Sequence, residues 1–374
     1  MKFKNFVSHS MDQNCKRSCH CVILPTTCFL FLVFFICSAF IVTDYREKFS
    51  RPTTNEPTQN NICKNESKPY GSESLPKGII SSTANLEMRP LWGSPKKQKA
   101  EMSLFAIAAG INQKNNVNEM VMKFPSSHFV IMIFHYDGVV DEWSDLEWNH
   151  RAIHVSALNQ TKWWFAKRFL HPDIVADYKY IFLWDEDLGV ENFDPLGYLT
   201  VVEKEGLEIS QPGLDGSKSE VHHQITIRGR RSNVHRRIYK ANCDKDSTNP
   251  PCTGWVEMMA PVFSRSAWRC TWYMIQNDLI HAWGLDKQLG YCAQGDRTKN
   301  VGVVDSEFIV HQGLPTLGGI DENKAPSGSY DDRSKVRKQS YVELKAFKSR
   351  WKQAVEEDEC WFDPYQQTTD QSRQ

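Results

Sequence analysis

No charge of either sign prevails in this 374-residue chain, where 45 Lys and Arg stand against 45 Asp and Glu. A chain so balanced has no global field to draw it to nucleic acid, and binding an anionic polymer would need a local patch. Internal repeats are absent, which excludes architectures stacked from one repeating unit. No G-x-G-x-x-G follows a candidate strand, so the glycine turn of a nicotinamide site is missing. At 40% hydrophobic and 12% aromatic residues, the chain can bury a sizeable core, and its length suits one large domain with flanking segments.

What is present begins with one long apolar run. Val22 to Val42 holds 21 residues without a charge; at about 1.5 Å per residue, that spans roughly the 30 Å hydrocarbon layer of a bilayer. Pro25 lies near its entering end, where one missing helix hydrogen bond is tolerated. Lys2, Lys4, Lys16 and Arg17 precede the run against Asp12, whereas Arg46 and Lys48 after it balance Asp44 and Glu47. The positive-inside rule then keeps residues 1–21 in the cytosol and places the remainder in a lumen. A cleaved signal peptide would have a shorter apolar region, about 7 to 15 residues, so length favours an uncleaved anchor and a single-pass type II protein.

Five of the 11 cysteines (Cys15, Cys19, Cys21, Cys28 and Cys37) lie in or beside this run, where juxtamembrane thiols are open to palmitoylation. The other six, Cys63, Cys243, Cys252, Cys270, Cys292 and Cys360, are an even number in an oxidising compartment that permits disulfides. Cys243 and Cys252 flank a polar loop with Asn249, Pro250 and Pro251 that a short staple would close. Cys270 with Cys292 is a second pairing, and spacing alone leaves the connectivity open. Asn65-Glu66-Ser67 and Asn159-Gln160-Thr161 are N-glycosylation sequons on the same lumenal side.

Residues 43–100 are rich in Asn, Ser, Thr, Pro, Lys and Glu and cannot bury enough surface to fold alone, so they read as a stem. Residues 101–320 alternate short apolar runs with helical stretches, the pattern of an α/β domain. Candidate strands are Ser103 to Ala109, Phe129 to His135, Tyr180 to Trp184, Glu208 to Ser210, Trp255 to Phe263 and Phe308 to Val310. The unalternating apolar character of the first two suits strands buried on both faces, and Tyr180 to Trp184 is the next buried strand. Thr161 to Leu170 reads as a helix stopped by His171-Pro172, and another helix runs to about Ile280. In residues 321–374 a polar linker leads to Tyr341, Leu344, Phe347, Trp351 and Val355, whose spacing predicts an amphipathic helix packed back on the domain.

The chemistry starts where Trp184 is followed by Asp185-Glu186-Asp187. Acids at the C-terminal end of a buried strand stand where α/β sheets bind ligands. On an extended segment Asp185 and Asp187 project to one side, and their hard oxygens suit Mg²⁺ or Mn²⁺, ions that neutralise a nucleotide diphosphate. Trp283-Gly284-Leu285-Asp286 sets a carboxylate beside aromatic and small residues, as a general base or as a helix cap. Asp305 and His311 flank the last apolar run, and neutral imidazole is a competent Mn²⁺ ligand. Gly110, Gln113, Lys114 and Asp137, at the ends of the first two strands, are candidate nucleotide contacts, and Lys167 a candidate phosphate contact. Arg228, Arg230, Arg231, His235, Arg236, Arg237 and Lys240 form a basic stretch suited to a diphosphate or acidic polysaccharide, or simply to solvent. Trp163, Trp164, Trp268 and Trp272 offer a sugar-stacking platform or core.

The order of these three signals resembles the metal motif, base motif and late ligand histidine of GT-A glycosyltransferases. More closely, the chain resembles a plant family of unknown function labelled lysine-ketoglutarate-reductase trans-splicing related. The matching stretches are Phe134-His135-Tyr136-Asp137-Gly138, Thr161 to Phe169, Phe182 to Asp187, and Gly302 to Glu307 continuing through His311-Gln312-Gly313. That label implies no reductase chemistry. The resemblance implies a GT-A-like, mainly parallel mixed sheet flanked by helices, with Asp185, Asp187 and His311 as metal ligands and Asp286 as base. It further implies Mn²⁺ or Mg²⁺ as cofactor, a nucleotide-sugar donor, a glycan acceptor and a Golgi membrane setting. The competing expectation is a membrane-anchored binding or scaffold protein that keeps the fold without the chemistry.

Overall fold

The computed structural model describes residues 68–80, 102–240, 242–314 and 329–365. The expected membrane span at Val22 to Val42 and the cytosolic tail lie outside them. Among the described residues no helix is long and apolar enough to cross a membrane.

The N-terminal half of the sheet comes from β1 (Met102–Ala109), β2 (Phe129–His135), β3 (Ile153–Ser156) and β4 (Tyr178–Trp184). These pair in parallel in the order β3-β2-β1-β4. Helix α1 (Lys114–Lys123) connects β1 to β2, and α2 (Lys162–Phe169) connects β3 to β4. Strand β1 shows why its apolar run does not alternate. Leu104, Ala106 and Ala108 enter one core cluster, whereas Phe105, Ile107 and Ala109 enter another. Both faces are covered, so every position must be apolar.

The other half is assembled from β5 (Leu188–Gly189), α3 (Pro195–Glu205), β6 (Ile209–Leu214), β7 (Val234–His235), β8 (Val262–Ser264), α4 (Arg265–Met274), α5 (Arg297–Asn300) and β9 (Val301–His311). Strand β8 is antiparallel to both β4 and β6. Strand β6 therefore runs with β4, and β9 is parallel to β6. The sheet is thus mixed, with its long strands pointing one way. The expected strand from Trp255 is mostly loop; only Val262–Ser264 pairs. The preceding segment spends its carbonyls elsewhere, Pro261 O accepting from Leu183 N at 3.1 Å and Met259 O from Asp185 N at 2.8 Å.

The C-terminal segment folds as helix α6 (Ser329–Glu357). Phe347, Trp351 and Ala354 are buried in the core, whereas Tyr341 stays exposed and only meets the Trp283 ring edge-on, centroids 5.1 Å apart. Part of the expected stem also belongs to the domain. Leu75 and Ile79 are fully buried, and Lys77 N donates to the Asp358 carboxylate at 2.7 Å. That segment does not fold alone; it is held by α6 and the turn after it, as Trp361 Nε1 donating to Ser74 O at 2.8 Å shows.

Both disulfide pairings read from the sequence are present, Cys243–Cys252 with Cα atoms 5.5 Å apart and Cys270–Cys292 with 5.4 Å. Cys360 is also disulfide-bonded.

Candidate functional site at the sheet edge

The acidic triplet leaves β4 at its C-terminal end and splits three ways. Glu186 turns inward and is 1% exposed. Its carboxylate accepts Gly110 N–H at 2.7 Å and the Tyr136 hydroxyl. Burial pushes it up to about 8, with the Tyr136 and Gly110 bonds opposing. A Cβ on Gly110 would lie 2.6 Å from the Tyr136 hydroxyl, so glycine is required for that ring to reach Glu186. Asp185 meets Lys162, whose Nζ stands 2.7 Å from Oδ1. Asp187 turns to His311, with 3.4 Å between Oδ2 and Nε2.

The Asp187–His311 approach follows from strand pairing. Asp187 runs straight into β5, which pairs antiparallel with the end of β9 so that Leu188 opposes His311. The imidazole is oriented from its other side, as Nδ1 donates to Glu220 O at 2.8 Å. A carbonyl can only accept, so Nδ1 carries hydrogen and Nε2 is the atom presented to Asp187. A backbone carbonyl on one nitrogen with a carboxylate beside the other is how ligating histidines are held. Burial lowers the basicity of His311, but its bonds to Asp187 and Glu220 raise it to about 9. Gly313, at φ 66°, lets the chain turn past Glu220, since a Cβ there would lie 1.9 Å from Glu220 Oε2.

His222 bridges two carboxylates, with Nδ1 3.1 Å from Glu257 and Nε2 3.2 Å from Glu220. Its ring meets that of His311 edge-on, centroids 5.5 Å apart. Glu257 is nearly buried and fixed through its amide on Gln211 Oε1 at 2.5 Å. Its Oε2 is buried without a hydrogen-bond partner among the described residues, and burial raises its protonation range against the opposing bond from His222. Asp286 Oδ2 accepts Trp255 Nε1 at 3.2 Å. The Trp255 ring packs on His223 with centroids 4.5 Å apart. Burial lowers the basicity of His223 while Asp286 pulls it upward, and Asp286 also acts on Glu257.

The sequence-predicted residues therefore divide. Asp185, Asp187 and His311 collect at one edge, and Asp286 stands within electrostatic reach of the Glu257 cluster beside them. Gly110 and Asp137 adjoin the triplet, but both are committed within the protein: Gly110 N–H to the Glu186 carboxylate, and Asp137 to Ile111 N at 2.6 Å and Val139 N at 3.0 Å, from which it accepts. Gln113 closes the turn onto Gly110 O at 3.0 Å, and Lys114 Nζ donates to Glu142 O at 2.6 Å and pairs with Asp145.

Lys167 is not at the site. It is 2% exposed, donates to Trp272 O at 2.7 Å and lies 3.6 Å from that ring's centroid. The lysine that does reach the triplet is Lys162, five residues earlier on α2. Such a separation turns a helix by roughly 140° relative to its starting face. Nothing in the local pattern distinguishes the two lysines. Trp163, Trp268 and Trp272 are core, and Trp164 stacks with Arg168 at 4.1 Å. In the basic stretch, Arg228 covers Phe308 at 3.6 Å, and Arg236 donates to Lys299 O at 2.6 Å.

His222, His223 and Glu257 were not singled out from the sequence. They sit in irregular segments where no periodicity marks them. Among the described residues no group of three His, Cys, Asp or Glu side chains is arranged to hold a metal ion. Asp187 and His311 converge, while the third expected ligand, Asp185, is engaged by Lys162. The donors are carboxylate oxygen and an imidazole nitrogen pre-oriented by Glu220 O, chemistry that fits Mn²⁺ or Mg²⁺.

A family model described as "Protein of unknown function (DUF707)" matches residues 66–357. No curated protein matches the chain. Among solved structures it is similar to TarS 1–349 of S. aureus in complex with UDP, at 9% identity and TM-score 0.38, over 56% of this chain and 59% of that one. It is also similar to the glycosyltransferase GlyE of Streptococcus pneumoniae, at 8% identity and TM-score 0.33, over 71% and 66% of the two chains. A third is 4-diphosphocytidyl-2C-methyl-D-erythritol synthase of Anaerococcus prevotii, at 10% identity and TM-score 0.33, over 59% and 93%. The chain thus spans about three fifths of the TarS fragment it matches.

Proposed function

The chain belongs to the DUF707 family, and from the edge site it carries we propose that it is a metal-dependent glycosyltransferase, using a nucleotide-sugar donor and a glycan hydroxyl as acceptor. One observation carries this reading: residues far apart in sequence, Asp187 and His311, meet 3.4 Å apart at the C-terminal ends of β4 and β9 in the mixed sheet, with His311 Nε2 aimed by the Glu220 carbonyl. Asp187 and His311, with Asp185 as third ligand, are the residues that would hold Mn²⁺ or Mg²⁺. Such an ion, when bound, neutralises the donor diphosphate.

Asp286 is assigned to the acceptor. Trp255 holds one carboxylate oxygen, and the other is the one that receives the proton of the attacking hydroxyl. The acceptor oxygen then bonds to the anomeric carbon as the bond to the diphosphate breaks, inverting that centre. Lys162, its Nζ 2.7 Å from Asp185 Oδ1, keeps the carboxylate-rich edge from repelling the donor phosphates.

The setting proposed with this activity is the Golgi lumen, with the uncharged run Val22 to Val42 as a type II anchor. Its supports are the disulfides, Cys243–Cys252 and Cys270–Cys292 among them, and the exposed Asn159 of the second sequon.

The test uses the full-length protein in detergent with Mn²⁺ and a panel of nucleotide sugars. Hydrolysis or transfer is expected with one of them, and Asp187→Ala should lower turnover by about a hundredfold or more, the scale of losing one strong electrostatic contact to developing charge. Unchanged turnover in Asp187→Ala would overturn the assignment. Failure of every nucleotide sugar to bind or react would favour the scaffold reading.

A further inference from the structure

The loop that brings Glu220, His222 and His223 to the edge site is fastened at both ends to β9. At its near end Ser219 Oγ accepts His311 N at 3.1 Å, and Glu220 is bonded to His311 through both its amide and its carbonyl. At its far end, beside the Arg228 N–H donated to Leu214 O at 2.9 Å and the pairing of β7 with β9, one carboxylate ties several points together. Asp305 is 1% exposed. Its Oδ1 accepts Gly229 N–H at 2.7 Å and lies 2.8 Å from His235 Nδ1. Its own amide donates to Asn233 O at 2.7 Å. A Cβ on Gly229 would come within 2.9 Å of Asp305 Oδ2, so only glycine brings this amide so close.

The second nitrogen of His235 reports its charge. Nε2 lies 2.7 Å from Ile225 O. A carboxylate and a carbonyl both only accept, so each ring nitrogen must donate and His235 is an imidazolium. The charged groups around it are few. From β9 it faces the Asp305 carboxylate, and from the loop the Ile225 carbonyl. The neighbouring cations are turned away, Arg228 over Phe308 and Arg236 onto Lys299 O and Glu205. Burial opposes the charge, and the bonds to Asp305 and Ile225 outweigh it, leaving the imidazole more basic than usual.

We propose that the His235–Asp305 ion pair is a proton-dependent latch that holds the Ser219–His235 loop over the edge site, making His235 a positioning residue for Glu220, His222 and through them His311. What the loop covers rests on the glycosyltransferase reading; the latch itself does not. The sign follows from linkage. A histidine more basic folded than unfolded contributes fully below its ordinary range, and that contribution is lost as pH rises through its folded value.

Amide exchange of the full-length protein tests this directly. Corrected for the intrinsic pH effect, exchange of the 220–229 amides should rise roughly ten- to hundredfold between about pH 6 and about pH 9, the factor expected when one charge-assisted hydrogen bond is lost. The wild-type series needs no substitution. His235→Gln should show the fast rate already at the lower pH, and His235→Arg, which keeps charge and two donors, should restore protection and flatten the pH profile. Flat wild-type exchange across that range, or equal protection in His235→Gln, overturns the latch. Where a nucleotide sugar reacts, its KM should rise with pH in the wild type and stay level in His235→Arg. If none reacts while the exchange results hold, the glycosyltransferase reading fails and the latch stands.

Discussion

The two halves of the sheet are held by different means. Residues 102–184 contain no cysteine, and β1, β2 and β4 are bound by stacked apolar side chains. Phe182, for example, contacts Phe124, Phe129, Trp184 and Tyr198 with ring centroids 5.4 to 5.8 Å apart. After Glu205 short strands and long loops surround β9, and the structure relies on disulfides that include Cys243–Cys252 and Cys270–Cys292, on the His235–Asp305 pair and on side chains bonded to backbone. The edge site lies on the seam. The first half supplies Lys162 from α2 and the acidic triplet from the link that leaves β4, and the second supplies His311 from the end of β9, Asp286 from a short 3-10 turn, and His222, His223 and Glu257 from loops. A smooth, well-packed half provides a rigid ledge, and polar groups that need individual geometry are mounted on loops tied down one bond at a time.

The sharpest way to break this contrast is in the apolar half. Phe182→Ala removes a fully buried ring and should cost about 3 to 5 kcal/mol in urea unfolding. A loss below about 1 kcal/mol, the scale of a surface change, would show that the first half does not depend on its aromatic stack. Replacing Cys270 and Cys292 together by Ala should cost about 3 kcal/mol, the worth of closing a loop of this size. By hydrogen exchange the opening should fall on residues 265–292 and spare β1 and β2. Equal loosening in both halves would dissolve the distinction.

The smallest effect, taken over any one pH unit, concerns a charge buried in the apolar half. Burial lowers the Lys167 ammonium from its ordinary 10.5 to about 7, with Arg168 adding to the effect. Between those values the unfolded chain binds a proton that the folded chain does not, so stability should rise with pH, by at most about 1.4 kcal/mol per unit. Lys167→Met removes that slope, so its advantage over the wild type should shrink as alkalinity increases. Parallel urea midpoints across the series would show that Trp272 keeps Lys167 charged in the fold.

How far the sequence reveals the molecule follows the same seam. Phe129–His135 was bounded to the residue, because a strand covered on both faces must be apolar throughout and polar residues mark where it ends. Trp255 to Phe263 was misjudged for the opposite reason. It is apolar enough for a strand, yet its carbonyls are claimed by Leu183, Asp185 and Lys162, partners that no local pattern announces. The stem was misjudged in part, because Leu75 and Ile79 find their core only when α6 folds back beside them.

By itself the sequence determined the apolar body of the sheet, the C-terminal helix and the acidic triplet at a strand end, since each depends on spacing within a short segment, whereas it left the cysteine connectivity open. Only the tertiary structure decided that Glu186 is sealed inward, that Lys162 and not Lys167 meets Asp185, and that Glu257 and two histidines join His311. Those choices depend on which distant backbone atoms come within hydrogen-bond reach, and that is a property of strand order and loop closure, fixed only when the whole chain has packed.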